Sequence, residues 1–363
     1  MRNIFIAVIG IIGLFAQCAQ ADHYEIQGTI QGVSEGWVWM KQKTETGNRV
    51  LDSAWITQGR FEFKGDLPDG IQSVNLYVDK VRGTLYVFLE PGKIRIQAKR
   101  DSVYYAQVTG TLNNERWGNY VREESRLYAL ETEASRAYQQ SFATRNRDSV
   151  KAAERAFADA IQAREQLKTA FLSAPENRYV AACWYRANQI HRMQYYAIDS
   201  LIQAMGVDMK DNNDYRLMLA RREVLRTQTV GAVLGEIALP DIDGTIRSLS
   251  SLRGHWVLVD FWASWCGPCR REGKHVLELY NQYHEQGFEV FGISIDRNLD
   301  AWQQAIAEDQ TPWIHVCDVD GKIAAQYGIT VIPHTFLIDP EGKIAAVNIT
   351  GESLDRKLQV IFQ

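Results

Sequence analysis

One stretch constrains this chain more than any other: Trp262-Ala-Ser-Trp-Cys-Gly-Pro-Cys-Arg-Arg-Glu272, which continues the apolar run Trp256-Val-Leu-Val-Asp-Phe-Trp262. Apolar on consecutive positions and rich in valine and aromatics, that run predicts a strand buried on both faces, as in a parallel sheet. A helical pattern follows, so Cys266 falls at a helix N-terminus. There the unpaired N–H groups and the helix dipole favour an anion and stabilise a thiolate. A thiol whose ordinary pKa is about 8.5 drops to roughly 3.5 to 7.5 in such two-cysteine settings. Cys269, one turn on and expected to be buried, stays a thiol until it attacks a mixed disulfide. Pro268 enters the first helical turn, where its missing donor costs little. A zinc half-site would need a second cysteine pair, and Cys183 and Cys317 stand alone. A purely structural disulfide closing so short a loop would be a poor staple.

Leu258-Val-Asp-Phe-Trp-Ala-Ser-Trp-Cys-Gly-Pro-Cys269 resembles the active-site strand and helix of thioredoxin. The wider frame, about residues 230 to 363, resembles the TlpA/ResA-like extracytoplasmic thioredoxins. That resemblance implies a thiol-disulfide oxidoreductase with Cys266 and Cys269 as its redox disulfide. Gly328-Ile-Thr-Val-Ile-Pro333 resembles the thioredoxin loop whose proline is cis and faces the two cysteines. A cis X–Pro bond costs only about 0.5 to 1 kcal/mol and leaves the preceding N–H and C=O open to an extended peptide. Ile332 and Pro333, with Trp265, Gly267 and Pro268, are therefore the candidate substrate-binding residues. Trp262 and Trp265 are expected to wall the site.

Two carboxylates complete the candidate catalytic set. Asp260 interrupts an apolar strand, and burial should raise its pKa and ready it for proton exchange. The resemblance makes it the proton acceptor for Cys269. The lysine that accompanies this Asp in thioredoxin is absent, and Gly292 occupies its place. Glu272, three residues after Cys269 and on the same helical face, matches a glutamate of ResA-like proteins and is a candidate to tune or relay protons. Where that family usually has a helix-kinking proline, this chain has Gly273-Lys274.

The 363 residues exceed one ordinary domain. Hydrophobic content of 46% and charged content of 23% describe a globular chain with a core. A net charge of −4, from 40 basic and 44 acidic residues, leaves no basic bias, which argues against a nucleic-acid partner. Residues 1–21 read as a signal peptide: Arg2, the apolar run Ile4 to Ala16, and Ala19-Gln-Ala21 as a small-x-small cleavage site. That run would span about 20 Å as a helix, short of a ~30 Å hydrocarbon core. Cleavage after Ala21 and export to the periplasm or envelope are expected. A lipid anchor at Cys18 is the alternative, disfavoured by Gln17 before it. Cys183 and Cys317 read as small core residues, with a bridge between them or a third redox thiol as the alternatives.

Residues 22–112 carry strand signals at Tyr24–Gly28, Trp37–Met40, Arg60–Lys64 and Thr84–Leu89, separated by glycine and proline turns. An antiparallel all-β domain, sandwich or barrel-like, is expected. Ile26-x-Gly28, Gly59-x-Phe61-x-Phe63-x-Gly65, Glu90-Pro-Gly92 and Val108-x-Gly110 resemble a small β domain of unknown function that often precedes TlpA-like thioredoxins. Trp37, Trp39 and Trp55 are expected to pack in its core, with binding of a partner through exposed rings as the alternative. Residues 113–228, almost without glycine, predict four or five helices, one running through Val150, Phe157, Ile161 and Phe171 with a cap at Asp148-Ser149. No metal-ligand spacing occurs there, and His191 stands alone. Residues 229–363 alternate strands and helices and predict an α/β domain, with Asp300 to Asp318 as a helix and strand beyond plain thioredoxin. The expected activity is exported reduction of disulfides in envelope proteins. Nothing here binds NADPH or flavin, so no cofactor is expected and a membrane thiol-disulfide protein would supply electrons. A partner-binding protein that keeps the fold as scaffold is one alternative. A thiol peroxidase is another, though Ala263-Ser-Trp-Cys266 lacks the threonine such enzymes place before the cysteine.

Overall fold

The computed structural model describes residues 23–363 apart from Thr46 and Pro68. The expected signal peptide and Cys18 lie outside them. The chain divides into two compact units after Phe171.

The first unit is built on eight strands: β1 (His23–Gln31), β2 (Glu35–Thr44), β3 (Gly47–Thr57), β4 (Arg60–Asp66), β5 (Gln72–Val78), β6 (Leu85–Leu89), β7 (Gly92–Lys99) and β8 (Gln107–Thr109). They form one sheet in the order β6-β5-β2-β3-β4-β1-β7-β8. Every pairing is antiparallel except β1 with β7, which run parallel. Period-2 alternation turns Tyr24, Ile26 and Ile30 of β1 and Phe61 and Phe63 of β4 into one core. Gly28 faces Phe61 across the β1–β4 pair, and a Cβ there would lie 2.0 Å from the ring. The glycine is the space that ring needs. Two of the three tryptophans depart from expectation. Trp37 and Trp55, paired across β2 and β3, face outward at 40% and 49% exposure because Val38, Met40 and Ile56 take the inward positions.

Two long helices, α1 (Leu112–Ser141) and α2 (Arg147–Ser173), follow as an antiparallel hairpin. Tyr120 stacks on Phe171 at 4.4 Å between ring centroids, and Arg164 bonds Glu124 and Glu131. Glu90 anchors the start of α1: its carboxylate accepts the backbone N–H groups of Asn113 and Asn114 at 2.8 and 3.2 Å. A buried anion at a helix N-terminus answers both the unpaired donors and the dipole. The cap of α2 is Asn146 rather than Asp148-Ser149. Its side chain accepts from the N–H groups of those two residues, which already lie inside the helix.

The second unit opens with α3 (Arg178–Asn188), α4 (Tyr195–Met205) and α5 (Asn213–Arg226). Val180, Ala181, Cys183, Ile198, Ile202 and Met218 are buried among them. The hairpin β9 (Ala238–Pro240) and β10 (Ile246–Ser248) turns through Asp241 to Gly244. Then come β11 (Trp256–Trp262), α6 (Gly267–Tyr283), β12 (Phe288–Ser294), α7 (Leu299–Asp309), β13 (Ile314–Cys317), α8 (Lys322–Gln326), β14 (His334–Ile338), β15 (Ile344–Val347) and α9 (Gly351–Ile361). The sheet order is β13-β12-β11-β14-β15, with β11, β12 and β13 parallel and the other two antiparallel. This α/β arrangement is thioredoxin-like, with β11 at its centre. Val257, Val259 and Phe261 point to one core; Leu258 points to the other, under α6 and α9. A strand buried on both faces reads as a continuous apolar run, which is why the pattern was legible. No helix among the described residues is long and apolar enough to cross a membrane.

Candidate active site

Strand β11 hands over to α6 at Cys266, the N-cap residue, whose Sγ accepts the N–H of Cys269 at 3.2 Å. Cys266 and Cys269 are joined as a disulfide, and Pro268 sits in the first turn. Both cysteines are buried, at 5% and 3% exposure, while Trp265 between strand and helix is 68% exposed. The Ile332–Pro333 peptide is cis, and Ile332 packs against the cluster that holds the two cysteines. Cys266, Cys269, Trp262 and Ile332 are thus brought together, with Gly267 and Pro268 on the same turn.

Asp260 sits where β11 pairs with both neighbours, opposite Gly292 of β12 and Thr335 of β14. Burial, reinforced by the Glu272 charge, raises its pKa from 3.8 to about 7. No cation offsets this among the described residues. Glu272 serves a second purpose as well: its Oε1 accepts the N–H of Gly351 at 2.7 Å, where α9 begins.

Several contributors escaped the sequence reading. Trp302 and Ala305 of α7 pack in the same cluster as the cysteines, together with Cys317 of β13, which was expected as a small core residue. Cys317 is a buried thiol whose Sγ donates to the Asp296 carbonyl, and burial pushes its pKa up to about 11. Asp296, itself buried, accepts the N–H and the hydroxyl of Ser264 at 2.8 and 2.7 Å, holding the segment two residues before Cys266. Arg270 ties α6 to α7 through Asp309 and Glu308. Where a side chain at Gly292 would project, His315 of β13 stands instead; a Cβ there would meet its Nδ1 at 3.0 Å. Burial drops the His315 pKa to about 4, so the ring is neutral. The one available signal was the extra helix and strand between Asp300 and Asp318, which supplies most of these residues.

The arrangement has known relatives. Residues 230–347 match the AhpC/TSA family, and residues 24–117 match a domain of unknown function, DUF4369. Thiol-disulfide oxidoreductase ResA of Bacillus anthracis is 30% identical over 130 residues, spanning 36% of this chain and 75% of that protein. The chain belongs to the TlpA/ResA-like thiol-disulfide oxidoreductases. ResA of Geobacillus thermodenitrificans matches at 30% over 138 residues, spanning 36% of this chain and 78% of that protein. A solved thioredoxin domain of a thiol-disulfide oxidoreductase from Bacteroides vulgatus is 36% identical, covering 37% of this chain and 99% of that one, with a TM-score of 0.36. Membership in the TlpA/ResA-like group accounts for the two-cysteine redox centre. The matched relatives leave the greater part of this member outside their span.

Proposed function

We propose that this TlpA/ResA-like oxidoreductase is exported and reduces disulfides in envelope proteins through its Cys-Gly-Pro-Cys pair. The observation that carries the reading is the placement of Cys266 Sγ at the N-terminus of α6, bonded to Cys269 and packed with Ile332 of the cis-proline loop. In the reduced enzyme the Cys266 thiolate attacks one sulfur of a substrate disulfide, and the other sulfur leaves as a thiolate and takes a proton. Asp260, with a pKa near neutrality, accepts the Cys269 proton. Cys269 then attacks Cys266 Sγ, which releases the second substrate thiol and leaves the enzyme disulfide. Two electrons pass to the substrate, and a membrane dithiol protein restores them.

Ile332 offers its backbone to an extended substrate, and the exposed Trp265 lies against it beside Gly267 and Pro268. Glu272 tunes Asp260 by its charge. The reducing direction is supported by the Gly-Pro dipeptide and Ile332, shared with thioredoxin, whose potential is near −270 mV, about 150 mV below that of strong periplasmic oxidants. Export follows from the leader-like residues 1–21. An insulin-reduction assay tests the chemistry: activity should vanish in Cys266→Ser, and activity independent of that cysteine would sink the proposal. Cys269→Ala should accumulate the mixed disulfide with the client. A measured potential near that of the strong oxidants would reverse the assigned direction.

A further inference from the structure

A cavity of about 300 Å³ lies in the second unit between the N-terminus of α4, the inner side of α5 and β15. It ends at His334, the residue after Pro333. About ten waters would fill it at the liquid density of about 30 Å³ each. Arg192, Arg221, His191 and His334 line it, and no carboxylate does. In a chain of net charge −4, this is a concentration of basic groups that the redox chemistry does not use.

Each wall is prepared for an anion. Among the described residues Arg221 bonds the Gly328 carbonyl, which its Nη1 reaches at 2.5 Å, and its buried Nε has no partner. The guanidinium is fixed against the backbone, since a Cβ at Gly328 would lie 2.0 Å from Nη1. Burial lowers the Arg221 pKa, with no neighbouring acid to oppose it. The Nε2 of His334 is likewise buried and unpartnered, and burial with the Arg221 charge holds that ring at a pKa of about 4. Gln194 caps α4 without a side-chain bond, and Gln194, Tyr195 and Tyr196 line the cavity, so the positive end of the helix dipole borders it. A half-buried guanidinium without an anion is costly, and a bidentate carboxylate is the partner its planar fork matches. Leu225, Ala346 and Val347 on the remaining wall suit a carbon skeleton.

We propose that this cavity binds a small organic carboxylate, its charged group held between Arg221 and the α4 N-terminus and its apolar part against β15. The site is independent of the proposed reductase chemistry. Its neighbourhood to Pro333 places the occupant beside the loop that borders the cysteines. Arg221 also supports Gly328 in that loop, so binding rather than turnover is the readout.

The test titrates the full chain with benzoate, succinate and inorganic phosphate, following heat and the His334 imidazole signals by NMR. Saturable carboxylate binding, with the His334 signals moving in step, is expected. Arg221→Gln should weaken it at least about tenfold, the scale of one charge-assisted pair, and Arg221→Lys should restore part of the loss. Should Arg221→Gln fail to fold, Arg192→Gln and the wild-type His334 signals decide the matter. No saturation by carboxylates at tens of millimolar, or affinity unchanged in the folded Arg221→Gln protein, overturns the proposal. Phosphate binding more tightly than both carboxylates overturns it too.

Discussion

Replacing Asp260 by asparagine removes the one ionisable group on central strand β11 while keeping its size. Burial and the Glu272 charge carry the Asp260 pKa from 3.8 to about 7. That is about three pH units, and at about 1.36 kcal/mol per unit the ionised carboxylate costs the fold on the order of 4 kcal/mol. The figure is a ceiling, because Asp260 is only partly buried in the strand and water still reaches it. Between pH 3.8 and about 7 the folded chain keeps a proton that the unfolded chain has released. Stability therefore falls as pH rises through that window and levels off above it. The asparagine variant lacks this slope. Its advantage over the wild type should be smallest near about pH 4 and reach a few kcal/mol at about pH 8. Native-state hydrogen exchange of β11 and β14 amides, in both proteins oxidised, measures the opening of this sheet alone. An advantage constant across pH would refute the reasoning, since it would mean that Asp260 ionises as in water. Given the proposed role of Asp260 as acceptor of the Cys269 proton, the same variant should also slow resolution of the mixed disulfide by Cys269.

Other substitutions probe the scaffold. Gly28→Ala should destabilise the first unit by about 1–3 kcal/mol through the Phe61 ring, seen as a lower first thermal transition. Glu90→Gln should cost that unit about 1–3 kcal/mol by weakening the two backbone bonds at the start of α1, read by urea unfolding. Trp265→Ala, at an exposed position, should change stability by less than about 0.5 kcal/mol yet raise KM for a protein disulfide in the insulin assay. Gly292→Ala should push His315 aside and lower the melting temperature of the second unit, with a shift in the His315 NMR signals.

Local chemistry made the redox pair readable. A run apolar on consecutive positions, then cysteines three apart with proline between, specifies a buried parallel strand ending in a helix N-terminus, because both patterns depend on near neighbours. Asp260 was readable for the same reason, since a lone carboxylate in such a run must be desolvated. The β unit was less legible. β3, β5 and β7 are needed to complete its sheet, and the parallel pairing of β1 with β7 depends on residues far apart in sequence. The outward turn of Trp37 and Trp55 followed from strand register, which a tryptophan's own hydrophobicity does not disclose.

The order of residues alone determined where the cysteine pair would stand, which carboxylate burial would press upon and where the cis proline would lie. Only the tertiary structure decided what surrounds them. Trp302, His315, Asp296 and Cys317 reach the centre from α7 and from β12, β13 and their flanking loops. Arg221 comes to rest beside Gly328 from a helix more than a hundred residues away. Those meetings arise from strand order and helix packing, and free energies of that kind belong to contacts that no local pattern records.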